Sequence, residues 1–143
     1  MADWRKELGK IISGKGSATR AEIENARFEA FLNDVAAPAL RQIAAELTQY
    51  GRDAAIREAP ASVVLTVRKD GLEEITFRVM KRYVSSGIVP YAEARIAKGT
   101  RYARHDVAFR DTPSAGVEEI TEQDVIASFL KTYRMIHESD AQA

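Results

Sequence analysis

Two histidines and a series of arginines are the side chains of this chain best suited to chemistry, and they point to different kinds of site. Neither His105 nor His137 has a partner at a metal-ligand spacing such as i, i+4, so no metal centre is expected. His137 falls near the end of a helical stretch, where an imidazole interacts with the helix dipole. His105 shares strand parity with Ala103, Val107 and Phe109 and so points inward, either as a satisfied core histidine or as a polar group in a pocket.

The arginines lie on segments of two-residue period. With Val63, Leu65, Val67, Ile75, Phe77, Val79, Ala92, Ala94 and Ile96 facing a core, the opposite parity carries Arg68, Arg78, Met80, Arg82, Tyr91, Arg95, Tyr102, Arg104 and Arg110. Guanidinium groups bind phosphate or carboxylate bidentately and stack on rings, so this face could hold an anion, a nucleic-acid strand or an acidic partner. The alternative is a solvated face in which Glu93 and Asp106 pair with the arginines across strands. No aromatic-rich RNA-recognition strand motif is present, which weighs against single-strand nucleic acid.

Other patterns fail on inspection. Gly9–Gly16 comes within one residue of a phosphate-binding loop, but Gly16 stands where a magnesium-binding hydroxyl is needed, and the preceding segment reads as helix rather than buried strand. The carboxylate pairs Glu73-Glu74 and Glu118-Glu119 are adjacent in sequence; on a strand they point to opposite faces and read as solvated surface. The nucleophile elbow, the His-Glu-x-x-His helix and the dinucleotide glycine motif are missing, as is cysteine. No cofactor is expected, and cysteine-free composition makes a cytosolic location the simple expectation.

The elements that position these residues can be read from spacing. Asp3 caps a short amphipathic arm with Trp4, Leu8, Ile11 and Ile12 on one face, followed by a glycine hinge at Ser13–Ser17. Residues 1–17 thus form an arm, and 18–143 a single α+β domain. Thr19 and Glu22 match a capping box that opens a helix whose stripe runs from Phe28 through Phe31, Leu32, Val35, Ala39, Ile43 and Leu47 to Tyr50. Pro38 cannot donate to the carbonyl of Asp34, so this is one kinked helix or two consecutive ones.

Five strands follow, near Ala54–Ala59, Ser62–Lys69, Leu72–Tyr83, Ile88–Lys98 and Arg101–Arg110. Asp70-Gly71 suits a type I′ hairpin turn, and Pro90 favours a strand start or a sheet edge. Thr121 and Asp124 cap a final helix with Ile120 and Val125 as a staple. Its apolar face is Val125, Ile126, Phe129, Leu130, Tyr133 and Ile136, and its tail frays from Glu138. The expected fold is an antiparallel meander with the helices packed on one face.

Lys+Arg and Asp+Glu balance at 21 each, so no global field steers the chain to nucleic acid or an anionic membrane. The ends differ in sign, with Arg5, Lys6, Lys10, Lys15 and Arg20 near the start and six acidic residues after Val117. No apolar run approaches the roughly 18 residues of a membrane span. Three functional readings remain: a non-enzymatic binding or accessory module that self-associates as a homodimer through helix faces or the arm; a small-molecule or enzymatic pocket between sheet and helix using Tyr83, His105 and Tyr133; and an anion or nucleic-acid surface on the arginine face.

Overall fold

Thr19 opens the long helix as its spacing with Glu22 predicts, its Oγ1 accepting the Glu22 backbone N–H at 3.2 Å. In the computed structural model, which describes residues 4–13, 19–85, 87–110 and 115–142, the arm is helix α1 (Trp4–Ser13) and the long helix is α2 (Arg20–Phe31) and α3 (Ala37–Gln49). Between α2 and α3 lies a π-helical turn, Leu32–Ala36, immediately before Pro38. The wider turn absorbs the hydrogen bond that Pro38 cannot donate, so the helix continues without a break. Of the expected stripe, Phe28, Phe31, Leu32, Ala39 and Ile43 are buried, and Ala36 and Leu40 join them. Tyr50 is instead exposed, because the chain leaves helical geometry there and turns at Gly51, whose φ is +82°.

The five strands β1 (Asp53–Ala59), β2 (Ser62–Lys69), β3 (Leu72–Val84), β4 (Gly87–Lys98) and β5 (Arg101–Ala108) pair in chain order, all antiparallel. All nine residues assigned to the core-facing parity, from Val63 to Ile96, are buried. They share one cluster with the α2–α3 stripe and with Val125, Phe129 and Ile136 of α4 (Glu122–Gln142). Helices α2, α3 and α4 therefore cover one face of the sheet and, among the described residues, leave the other uncovered. Pro90 lies in β4 opposite Lys81, but β5 covers β4 only from Tyr91 onward, so Pro90 sits on a local edge where its missing N–H costs nothing.

Two details correct the sequence reading. β5 ends at Ala108, so Arg110 lies beyond the strand and its Nε donates to Asp124 Oδ2 at 3.1 Å, on the α4 side rather than on the arginine face. The last helix also runs to Gln142 rather than fraying from Glu138, in keeping with the helix-favouring Ala and Gln at its end. Its cap is the expected one: Thr121 N–H donates to Asp124 Oδ2 at 2.9 Å and Asp124 N–H to Thr121 Oγ1 at 3.3 Å. The Asp3 cap and hinge residues Gly14–Ser17 lie outside the described residues.

The β2–β3 hairpin contains one irregularity. Asp70 and Gly71 both have positive φ, +53° and +81°, which sets Lys69 opposite Leu72 and Arg68 opposite Glu73. The hydrophobic pairing one step on places Val67 opposite Ile75. Glu74 is left as an extra residue, a β-bulge, and its side chain turns to the helix-covered face.

Candidate functional site

The bulge puts a carboxylate under the helices. Glu74 Oε1 accepts the Tyr133 phenol of α4 at 2.7 Å and Arg52 Nε, from the loop before β1, at 3.3 Å. Arg52 also donates through a terminal nitrogen to the Tyr50 carbonyl at 3.1 Å, and His137 Nε2 lies 3.8 Å from Glu74 Oε2. The Arg52 and Glu74 side chains are 19% and 12% exposed, so the pair is largely withdrawn from water.

Helix spacing supplies the rest. Phe129, Tyr133 and His137 recur at i, i+4 and i+8 on α4 and form a ring ladder: Phe129 stacks on Tyr133 at 5.4 Å between centroids, and Tyr133 meets His137 at 4.8 Å. Phe129 meets Phe77 of β3 edge to face at 5.4 Å, which anchors the ladder on the sheet. Above this floor α3 and α4 diverge around a groove of about 610 Å³. Ile43 and Leu47 of α3 line one side, with Ile126, Phe129 and Leu130 of α4 on the other. Gln42, Glu46, Tyr50 and Arg52 complete its lining with Tyr133 and His137.

The electrostatics favour the protonated forms of Tyr133 and Arg52. Burial, and then donation to the Glu74 carboxylate, push the Tyr133 phenol up to about 12, so it stays neutral and donating across the physiological range. Burial opposes the charge on Arg52 most strongly, but its hydrogen bond to Glu74 and the charge interactions with Tyr133 and Glu74 together outweigh this and raise its proton affinity. The result is a charge-balanced, mutually hydrogen-bonded floor beneath an apolar groove.

No family model, curated protein or solved structure matches this chain.

The three pocket residues expected from sequence are not brought together. Tyr133 lines the groove between α3 and α4. Tyr83, near the end of β3, is exposed, and its hydroxyl donates to Asn25 Oδ1 of α2 at 3.2 Å, an atom that also accepts Lys81 Nζ at 2.5 Å. His105 lines a separate cleft between β5 and α4. Sequence reasoning missed Glu74, taken as solvated surface, and Arg52. It also assigned His137 to the helix dipole, whereas His137 lines the groove beside Glu74.

The uncovered sheet face carries Arg68, Arg78, Arg82, Tyr91, Arg95, Tyr102 and Arg104 as its parity requires. Much of it is internally neutralised: Arg104 pairs with Glu93 at 3.0 Å, Arg82 with Asp106 at 3.4 Å and Arg95 with Glu73 at 3.8 Å. Arg82 stacks over Tyr91 at 4.4 Å and Arg95 over Tyr102 at 4.1 Å. On α1, Trp4 and Leu8 are 63% and 45% exposed, while the side chains of Ile11 and Ile12 lie outside the described residues. Among the described residues no group of three or more His, Asp or Glu is placed to hold a metal ion, and no helix is long and apolar enough to cross a membrane.

Proposed function

We propose that this chain is a non-enzymatic binding module whose ligand is a small apolar molecule with a hydrogen-bonding end, held in the groove between α3 and α4. One observation carries the reading: an apolar groove of about 610 Å³ converges on a cluster of polar groups, Arg52, Glu74, Tyr133 and His137, drawn from a loop, a bulge and a helix far apart in sequence. That volume lies within the roughly 300–1,000 Å³ typical of small-molecule sites, which combine apolar walls with a few convergent polar groups. The floor is engaged in its own hydrogen bonds, which favours orientation of a ligand over proton transfer.

Fluorescence titration with anilinonaphthalene sulfonate tests this. The native chain is expected to bind the dye saturably, and Leu130→Glu, at a half-exposed groove position, to weaken binding at least about tenfold, since a charge on the wall opposes apolar burial. Equal binding by both proteins, with unchanged circular dichroism, would refute the site.

A second reading, self-association through the arm, rests on the exposure of Trp4 and Leu8 on an otherwise amphipathic helix. Light scattering before and after removal of residues 1–17 tests it: loss of a dimer supports the arm, and an unchanged mass rejects it. A cytosolic location belongs to the same proposal and is checked by cell fractionation.

A further inference from the structure

We propose that the free edge of β5 pairs antiparallel with β5 of a second copy of this chain, about a two-fold axis at His105, joining the two five-stranded sheets into one.

The two edges of the sheet are built differently. β1 carries Glu58 on its helix-facing parity, and Arg41 of α3 donates to that carboxylate at 2.8 Å. An inward charge at an edge is a device against strand addition. On β5 the one charged residue of that parity, Arg101, is the first of the strand; the helix-facing residues after it are Ala103, His105 and Val107, and its eight residues contain neither glycine nor proline. Its unpaired N–H and C=O groups form a straight template for another strand.

The strand is self-complementary in one register. Antiparallel pairing centred on His105 sets Arg104 opposite Asp106 of the partner subunit and, by symmetry, repeats that contact on the other side of the axis. It also sets Ala103 opposite Val107 of the partner subunit, so helix-facing residues meet helix-facing residues and the two covered faces stay on the same side. Centring the axis on Arg104 or on Asp106 instead sets like charges opposite each other, and a shift of one residue between the strands opposes the two faces. The ion pairs at Arg104 and Asp106 already present within each chain would extend into a network across the axis.

Light scattering and sedimentation of the full chain should give a dimer. Arg104→Asp and Asp106→Arg should each weaken association about tenfold or more, since each creates like-charge contacts on both sides of the axis. The double variant Arg104→Asp/Asp106→Arg should restore it. The chain has no cysteine, so His105→Cys should cross-link the two copies on mild oxidation, because directly opposed antiparallel residues lie about 4.5–5.5 Å apart at Cα, within disulfide reach. Tyr102→Cys, six residues from its own symmetry mate along the paired strands (roughly 20 Å), should not. A monomer at all concentrations, a double variant that fails to recover, a dimer lost on removing residues 1–17, or equal cross-linking at Tyr102 and His105 would overturn the proposal.

Discussion

Replacing Tyr133 by phenylalanine removes one hydroxyl from the groove floor and leaves the ring ladder intact. The lost bond is short, 2.7 Å, and its acceptor is a carboxylate only 12% exposed. Hydrogen bonds to charged groups contribute about 1.5–3 kcal/mol, and since Glu74 keeps Arg52 as a donor, a loss of about 2 kcal/mol is expected. For a chain of this length that lowers Tm by about 5–8 °C, and in urea it moves the midpoint without changing the slope. Glu74→Gln leaves the Arg52 guanidinium without its counter-charge and should cost about 2–3 kcal/mol. If the floor is one coupled unit, the double variant should cost about 1.5 kcal/mol less than the sum of the singles. The native protein should also show a tyrosine titrating at about 12 by ultraviolet difference spectroscopy, absent from Tyr133→Phe. The folded state holds this proton more tightly than the unfolded state. The associated stability is therefore complete below the ordinary tyrosine value of 10.0 and declines as pH rises through about 12. A cost below about 0.5 kcal/mol for Tyr133→Phe, or strict additivity with Glu74→Gln, would refute the coupled floor.

Phe129→Ala, which removes the ring linking Phe77 to Tyr133, should destabilise the chain by about 3–5 kcal/mol in urea unfolding and abolish dye binding at the groove. Asp124→Ala should cost about 1 kcal/mol by removing the acceptor of the Thr121 N–H and the partner of Arg110, while Thr121 Oγ1 still caps the residue-124 N–H. Acceptance of the Thr121 N–H, opposed in part by burial and aided by Arg110, holds the Asp124 carboxyl below its ordinary 3.8. The stability it contributes is full above that pH and is lost as pH falls through the lowered value, so acid unfolding of Asp124→Ala should show a shallower pH dependence. Gly71→Ala, at φ +81° in the hairpin turn, should cost about 1–2 kcal/mol, measured by thermal unfolding.

The hairpin shows how far local sequence reaches. A two-residue Asp-Gly turn sets Lys69 opposite Leu72, whereas burying Val63, Leu65 and Val67 on the same face as Ile75, Phe77 and Val79 needs Val67 opposite Ile75. The two requirements differ by one residue, so the sequence already demands a bulge in this hairpin. Treating Leu72–Tyr83 as an unbroken alternation overlooked that conflict and left Glu74 on the wrong face. The positive-φ turn, the strand parity, the Thr19 and Thr121 caps and the helix around Pro38 were all legible, because each depends on side chains and dihedrals within a few residues of one another.

Arg52, Glu74, Tyr133 and His137 have no sequence signature as a group. Their spacing along the chain is arbitrary, and they meet because α3 and α4 pack side by side on the core face over the bulge. Hydrophobic burial determines which face of each helix turns inward, but it is non-directional and does not fix where along the sheet that face settles. By itself the sequence determined the elements, their caps and the two faces of the meander. Only tertiary packing decided that the polar groups gather beneath an α3–α4 groove while Tyr83 and His105 lie elsewhere, because that depends on how side-chain volumes fill the space between helices and sheet.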